Sequence, residues 1–230
     1  MSKRSIFINT SFLYFSKLKN NYDLISFYIG IFLLPSALPI SLIFIVFSLI
    51  FSFFKNKKNF INDKINIFFL IACFMLLLST FTHYFIDFNL NYKSNWEPSL
   101  SIIGLANWIP LILIFISFQT YLKTKELRKR FAIILLTGSF PVLFSCFSQY
   151  FLKWYGPYEY MNGLIIWYQR PLSNFLGVTG LFSNQNYTAS WLNIIWPFAI
   201  AYFISIKKSF IKKVFSFLIL FAIFIFIILT

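Results

Sequence analysis

Long apolar runs, parted by short basic tracts, constrain this chain more than any other feature. Apolar stretches occupy residues 22–54, 65–82, 99–120, 131–152, 187–206 and 214–229. A helix needs about 20 mostly apolar residues to cross a hydrocarbon core of about 30 Å, and most of these runs reach or approach that length. Only 11% of the 230 residues are charged and 59% are hydrophobic, whereas soluble domains carry about 25% charge. The 34 Phe suit lipid-facing surfaces and interfacial anchoring. The fold class implied is all-α, a polytopic transmembrane helical protein embedded in a lipid bilayer.

The net charge of +14 does not point to nucleic acid, because of where it lies. Lys and Arg collect on the cytoplasmic side of membrane proteins. Seventeen of the 20 basic residues fall within 1–20, 55–64, 121–130 and 207–213, leaving Lys93, Lys153 and Arg170 for the other side. The run 22–54 has basic residues on both flanks and is too long for one crossing. It should therefore be a hairpin that turns at Pro35 and Pro39, each arm about 16 residues long. About seven spans result. Residues 1–20 become a cytoplasmic arm, since Asn9, Thr10 and Ser11 break the apolar run a cleavable signal would need. Residues 21–230 form the transmembrane helical domain, with external loops at 83–98 and 153–186. Within the second loop, 161–168 is apolar enough for a short surface helix. The chain ends in an apolar run at Thr230 with no polar tail, which reads as the N-terminal portion of a larger bundle.

Chemistry-bearing residues are sparse. One His and two Cys in separate spans offer no metal site, and no nucleotide-binding motif or other cofactor signature appears. His83, at the end of a span, reads as an interfacial polar residue. Arg170, between aromatic residues and Pro171, has two readings. It can anchor the loop by snorkelling, or its planar fork can grip a phosphate or diphosphate. Further along, Gly177-Val-Thr-Gly180-Leu-Phe-Ser-Asn184-Gln-Asn186 runs into the next span. The glycines permit tight turns, Ser183 or Asn184 can cap the helix, and free amides at its start would attract an anion. The same residues equally suit a well-capped helix that packs through small and polar side chains.

The pattern Gly180-x-Phe182-x-Asn184-x-Asn186, followed by a span containing Pro197, resembles the O-antigen ligase and O-antigen polymerase superfamily. Gln185 stands where many members have proline, and Arg170 is the candidate for their upstream arginine. The motif likeness covers residues 170–197, and the likeness in topology covers the whole chain. It implies a multi-pass protein of the bacterial inner membrane with a cytoplasmic N-terminus. It further implies a glycosyltransferase that takes glycan from an undecaprenyl-diphosphate-linked donor at the periplasmic face. The acceptor would be lipid A-core or another glycan, as in lipopolysaccharide and other cell-envelope polysaccharide biosynthesis, without cofactor or metal. Arg170, Gly180, Asn184 and Asn186 would bind the donor diphosphate, while the catalytic residues stay unassigned. The alternative is a transporter or a non-enzymatic membrane scaffold. Transporters place broken helices and polar groups near mid-membrane, whereas here the polar residues concentrate at a span boundary.

Overall fold

The computed structural model of the protein describes residues 22–90, 98–173, 177–206 and 209–230, the side chains of 56–62, 84–90 and 98–99 excepted. The arm 1–20 and the centre of the 83–98 loop lie outside the described residues. Eight α-helices are described: α1 (Tyr22–Leu33), α2 (Leu38–Asn62), α3 (Lys64–Leu90), α4 (Pro98–Phe118), α5 (Lys125–Gly138), α6 (Phe140–Phe151), α7 (Gln185–Ser205) and α8 (Phe210–Leu229). Two short strands, β1 (Tyr158–Tyr160) and β2 (Ile165–Trp167), lie between α6 and α7. Taking α5 and α6 together, six helical stretches are long and apolar enough to cross a membrane. Their apolar side chains face outward to an extent no water-soluble core allows. Only 11% of the residues in the α3 stretch are buried, and 11% in the α4 stretch. The protein is an all-α polytopic helical membrane protein.

The chain divides into two units, residues 1–46 with 124–230, and residues 47–123. In the second unit, α3 and α4 pack through Phe69 and Phe115, whose ring centroids are 4.8 Å apart. Hydroxyls and amides join its helices near one end. Ser52 Oγ donates to the Ser117 carbonyl (3.3 Å), Tyr121 Oη to that of Ser48 (2.8 Å), and Gln119 Nε2 to Asn66 Oδ1 (3.0 Å). Small polar side chains suit this work, since they admit close helix approach and leave no donor unsatisfied in lipid.

In the first unit the expected hairpin is present. α1 ends at Leu33 and α2 starts at Leu38, with Pro35 in the turn. Ser26 Oγ donates to the Phe44 carbonyl (2.8 Å) and Ser41 Oγ to that of Gly30 (2.7 Å), a pairing that makes the arms antiparallel. A Cβ at Gly30 would lie 2.7 Å from Ile45 Cγ1, so only glycine permits this approach. At 12 residues, α1 is about 18 Å long, short of the hydrocarbon core. It also packs on α5, where a Cβ at Gly138 would lie 2.4 Å from the Phe32 carbonyl oxygen. α5 and α6 break at Ser139, because Pro141 cannot supply the next helical N–H. Trp191 Nε1 donates to Ser139 Oγ (3.1 Å), which ties α7 to the break. α7 and α8 then run antiparallel, with Trp196 against Phe224 and Phe203 against Phe217.

Two sequence expectations need correction. α3 continues to Leu90, eight residues beyond the expected span end at Thr82. Residues 83–90 hold polar side chains but no proline or glycine, and polarity alone does not stop a helix. Residues 161–168 form no surface helix. They supply a turn and then β2, paired antiparallel with β1 in the register Tyr158 to Trp167. Met161, Asn162 and Gly163 take positive φ (52°, 56° and 84°), which ends any helix, and Ile165-Ile-Trp167 favours a strand.

Candidate functional site

The segment joining α6 to α7 is held by a buried amide that the sequence pattern alone does not single out. After β2 the chain runs beside the loop that leads to α7. Tyr168 N–H donates to the Leu181 carbonyl (3.2 Å), Gln169 N–H to that of Gly180 (3.0 Å), and Arg170 N–H to Thr179 Oγ1 (3.1 Å). Gln149, fully buried on α6, clamps both strips. Its Nε2 donates to the Arg170 carbonyl (2.6 Å) and to Thr179 Oγ1 (3.2 Å). Its Oε1 accepts from the N–H groups of Thr179 (3.1 Å) and Gly180 (2.8 Å). Thr188 on α7 closes the network by donating to the Thr179 carbonyl. A buried polar group is costly unless paired, and every hydrogen-bonding site on this amide is paired.

The clamp fixes the Arg170 backbone at a helix boundary while its side chain stays exposed. The guanidinium makes no hydrogen bond or ion pair among the described residues, so it is open to an anion. Asn184 caps α7, its Oδ1 accepting from Asn186 N–H (2.8 Å), as the sequence suggested. The expected free amides are fewer than the motif implied. Tyr187 and Thr188 N–H groups reach the Asn184 carbonyl (3.2 and 3.4 Å), and Asn186 N–H is taken by the cap. Gln185, in the proline position of the resembling motif, reaches back to accept from Gly177 N–H.

Of the four candidate residues, Arg170, Asn184 and Asn186 are exposed and Gly180 is buried. Gly180 has φ +52°, and a Cβ there would lie 2.8 Å from Cys146 Sγ. Its N–H belongs to Gln149, so it shapes the turn and has no amide left for a ligand. The Gly177–Val178 backbone packs on the end of α8, where Val178 N–H donates to the Leu229 carbonyl (2.9 Å). No hydrogen bond joins the Arg170 guanidinium to Asn184 or Asn186 among the described residues.

Beside the capped start of α7 lies a cleft of about 600 Å³. Pro35 and Pro39 of the α1–α2 turn, Leu181, Phe182, Tyr187 and Trp191 line much of it. Trp167 Nε1 donates to the Ser36 carbonyl (2.9 Å), which places this turn and the β-hairpin at one end of the unit. The fold and site thus define a helical membrane protein with an ordered polar cap at one end of its first unit. The chain matches no family model, no curated protein and no solved structure.

Proposed function

We propose that the protein works in the bacterial inner membrane, N-terminus in the cytoplasm, on an undecaprenyl-diphosphate-linked glycan. It transfers that glycan at the periplasmic face to lipid A-core or to another glycan chain. The observation that carries this reading is Arg170: an exposed guanidinium, unpaired among the described residues, whose backbone is locked by Gln149 and Thr179 at the boundary of a membrane helix. A fixed fork of donors there suits a diphosphate whose tail must remain in lipid. The adjoining cleft, within the usual range of about 300–1,000 Å³ for ligand sites, has walls greasy enough for the first isoprene units. Asn184 and Asn186, exposed at the start of α7, offer neutral donors to the phosphate or the first sugar.

The test is glycan transfer from the diphosphate-linked donor in membranes, at matched protein levels, for wild type, Arg170→Ala and Arg170→Lys. Loss of a charge-assisted pair in a partly dry site costs about 2–4 kcal/mol, so the alanine variant should fall about 30- to 1,000-fold. Lysine restores charge without the planar fork and should recover only part of the activity. Wild-type turnover in Arg170→Ala would leave the residue as an interfacial anchor and end the donor-site reading.

A further inference from the structure

A second cavity, of about 330 Å³, opens between α6 and the β-hairpin. Trp154, Tyr158, Tyr160 and Trp167 frame it, and Ser145 and Gln169 also line it. The hairpin explains the frame. Residues two apart on a strand share a face, so Tyr158 and Tyr160 stand together while Glu159 points the other way. Trp167, opposite Tyr158, joins them, its ring 5.2 Å from that of Tyr160 in an edge-on contact. Trp154 and Tyr160 remain about half exposed, at 51% and 45%. Large, half-exposed rings gathered on one concave surface are poorly explained by core packing.

The polar groups here are unsatisfied in a selective way. Gln169 is buried, and its Nε2 donates to the Ser145 carbonyl (3.1 Å) and to Ser148 Oγ (2.7 Å). Its Oε1 accepts no hydrogen bond among the described residues. Ser145, 2% exposed, has a fully buried hydroxyl with no partner among the described residues. Gln169 also holds φ at +33°, a costly conformation for a residue with a side chain. Such strain persists where the surroundings impose it, and here the backbone hydrogen bonds with Gly156 and Gly180 impose it.

We infer that this cavity is a carbohydrate subsite that stacks one pyranose ring on its Trp and Tyr faces and hydrogen-bonds a ring hydroxyl through Gln169 Oε1. The C–H face of a sugar is weakly electropositive and matches the negative face of an aromatic ring. A sugar hydroxyl can donate to this acceptor. Among the described residues no charged side chain lines the cavity, which favours a neutral sugar over a phosphorylated or acidic one. A quaternary ammonium also suits aromatic walls, but it has no donor to offer Gln169 Oε1. The assignment of this sugar to the donor glycan rests on the proposed function. The binding itself does not.

The test uses the whole protein in lipid nanodiscs, applied to an array of neutral oligosaccharides and, separately, to phosphocholine. Wild type should retain at least one neutral oligosaccharide. Trp154→Ala and Tyr160→Ala should each weaken retention about tenfold, the scale of one lost stacking contact. Trp154→Phe, which keeps a ring, should retain most of the binding, and unchanged thermal unfolding of Trp154→Ala would exclude misfolding as the cause. Arg170→Ala should bind the oligosaccharide normally. Failure of wild type to retain any neutral oligosaccharide, equal retention by Trp154→Ala, or displacement by phosphocholine would each overturn the subsite. Oligosaccharide binding in a protein whose Arg170→Ala variant transfers glycan at the wild-type rate would instead overturn only the donor-site reading.

Discussion

Gln149 holds more of the polar cap together than any residue the motif contains. Its amide bonds two N–H groups, one carbonyl and one hydroxyl, all carried by the loop between α6 and α7. Gln149→Leu keeps the volume but strands those groups away from water, at about 1–3 kcal/mol for each one left unsatisfied. We expect a clearly lowered unfolding temperature in detergent and faster proteolysis between residues 153 and 184. A variant that melts like wild type and resists protease equally would show that the loop is held elsewhere. Neither Gln149 nor its role was legible in the sequence, because its partners Thr179 and Gly180 lie 30 and 31 residues away and only folding joins them. Asn184 was legible for the opposite reason. A polar residue just before an apolar run carries its capping role locally.

At the scale of elements, close helix contact depends on where glycine falls. Gly138 and Gly104 both lie in apolar segments, and nothing in their local sequence separates them. A Cβ at Gly138 meets the Phe32 backbone, whereas one at Gly104 meets nothing within 4 Å. Gly138→Leu should push α1 from α5 and cost about 1–3 kcal/mol or more, since a backbone cannot yield as a side chain does. Gly104→Ala should be neutral or stabilising by up to about 1 kcal/mol through helix propensity. Thermal unfolding of the two variants side by side checks the contrast, and equal losses would contradict the α1–α5 packing. Strand formation at 158–167 escaped the sequence reading through the same local ambiguity. A short apolar run suits either a strand or a buried helix, and three successive positive φ angles are visible only in the backbone.

For the whole molecule, the ends of the helices can be assigned to sides by labelling. The Trp167–Ser36 hydrogen bond puts the α1–α2 turn and the β-hairpin at the same end of one unit. Cysteines placed at Ser36 and Asn162 should therefore react with an impermeant maleimide from the same side. In the proposed orientation that side is the outside, and a cysteine at Lys125 should react only after permeabilisation. The native Cys73 and Cys146 are buried and should contribute little background. Labelling of Ser36 and Asn162 from opposite sides would contradict the fold, and labelling of both only from inside would reverse the orientation. The sequence by itself determined the membrane class and most of the helices, because burial in lipid depends on composition along one run and a helix satisfies its own backbone. It also determined the α1–α2 hairpin, through its prolines and flanking charges. Only the tertiary structure decided how the polar cap is built, which amides at the start of α7 stay open, and that five aromatic residues share one cavity. Those outcomes depend on hydrogen bonds and side-chain faces that residues far apart in the chain create together.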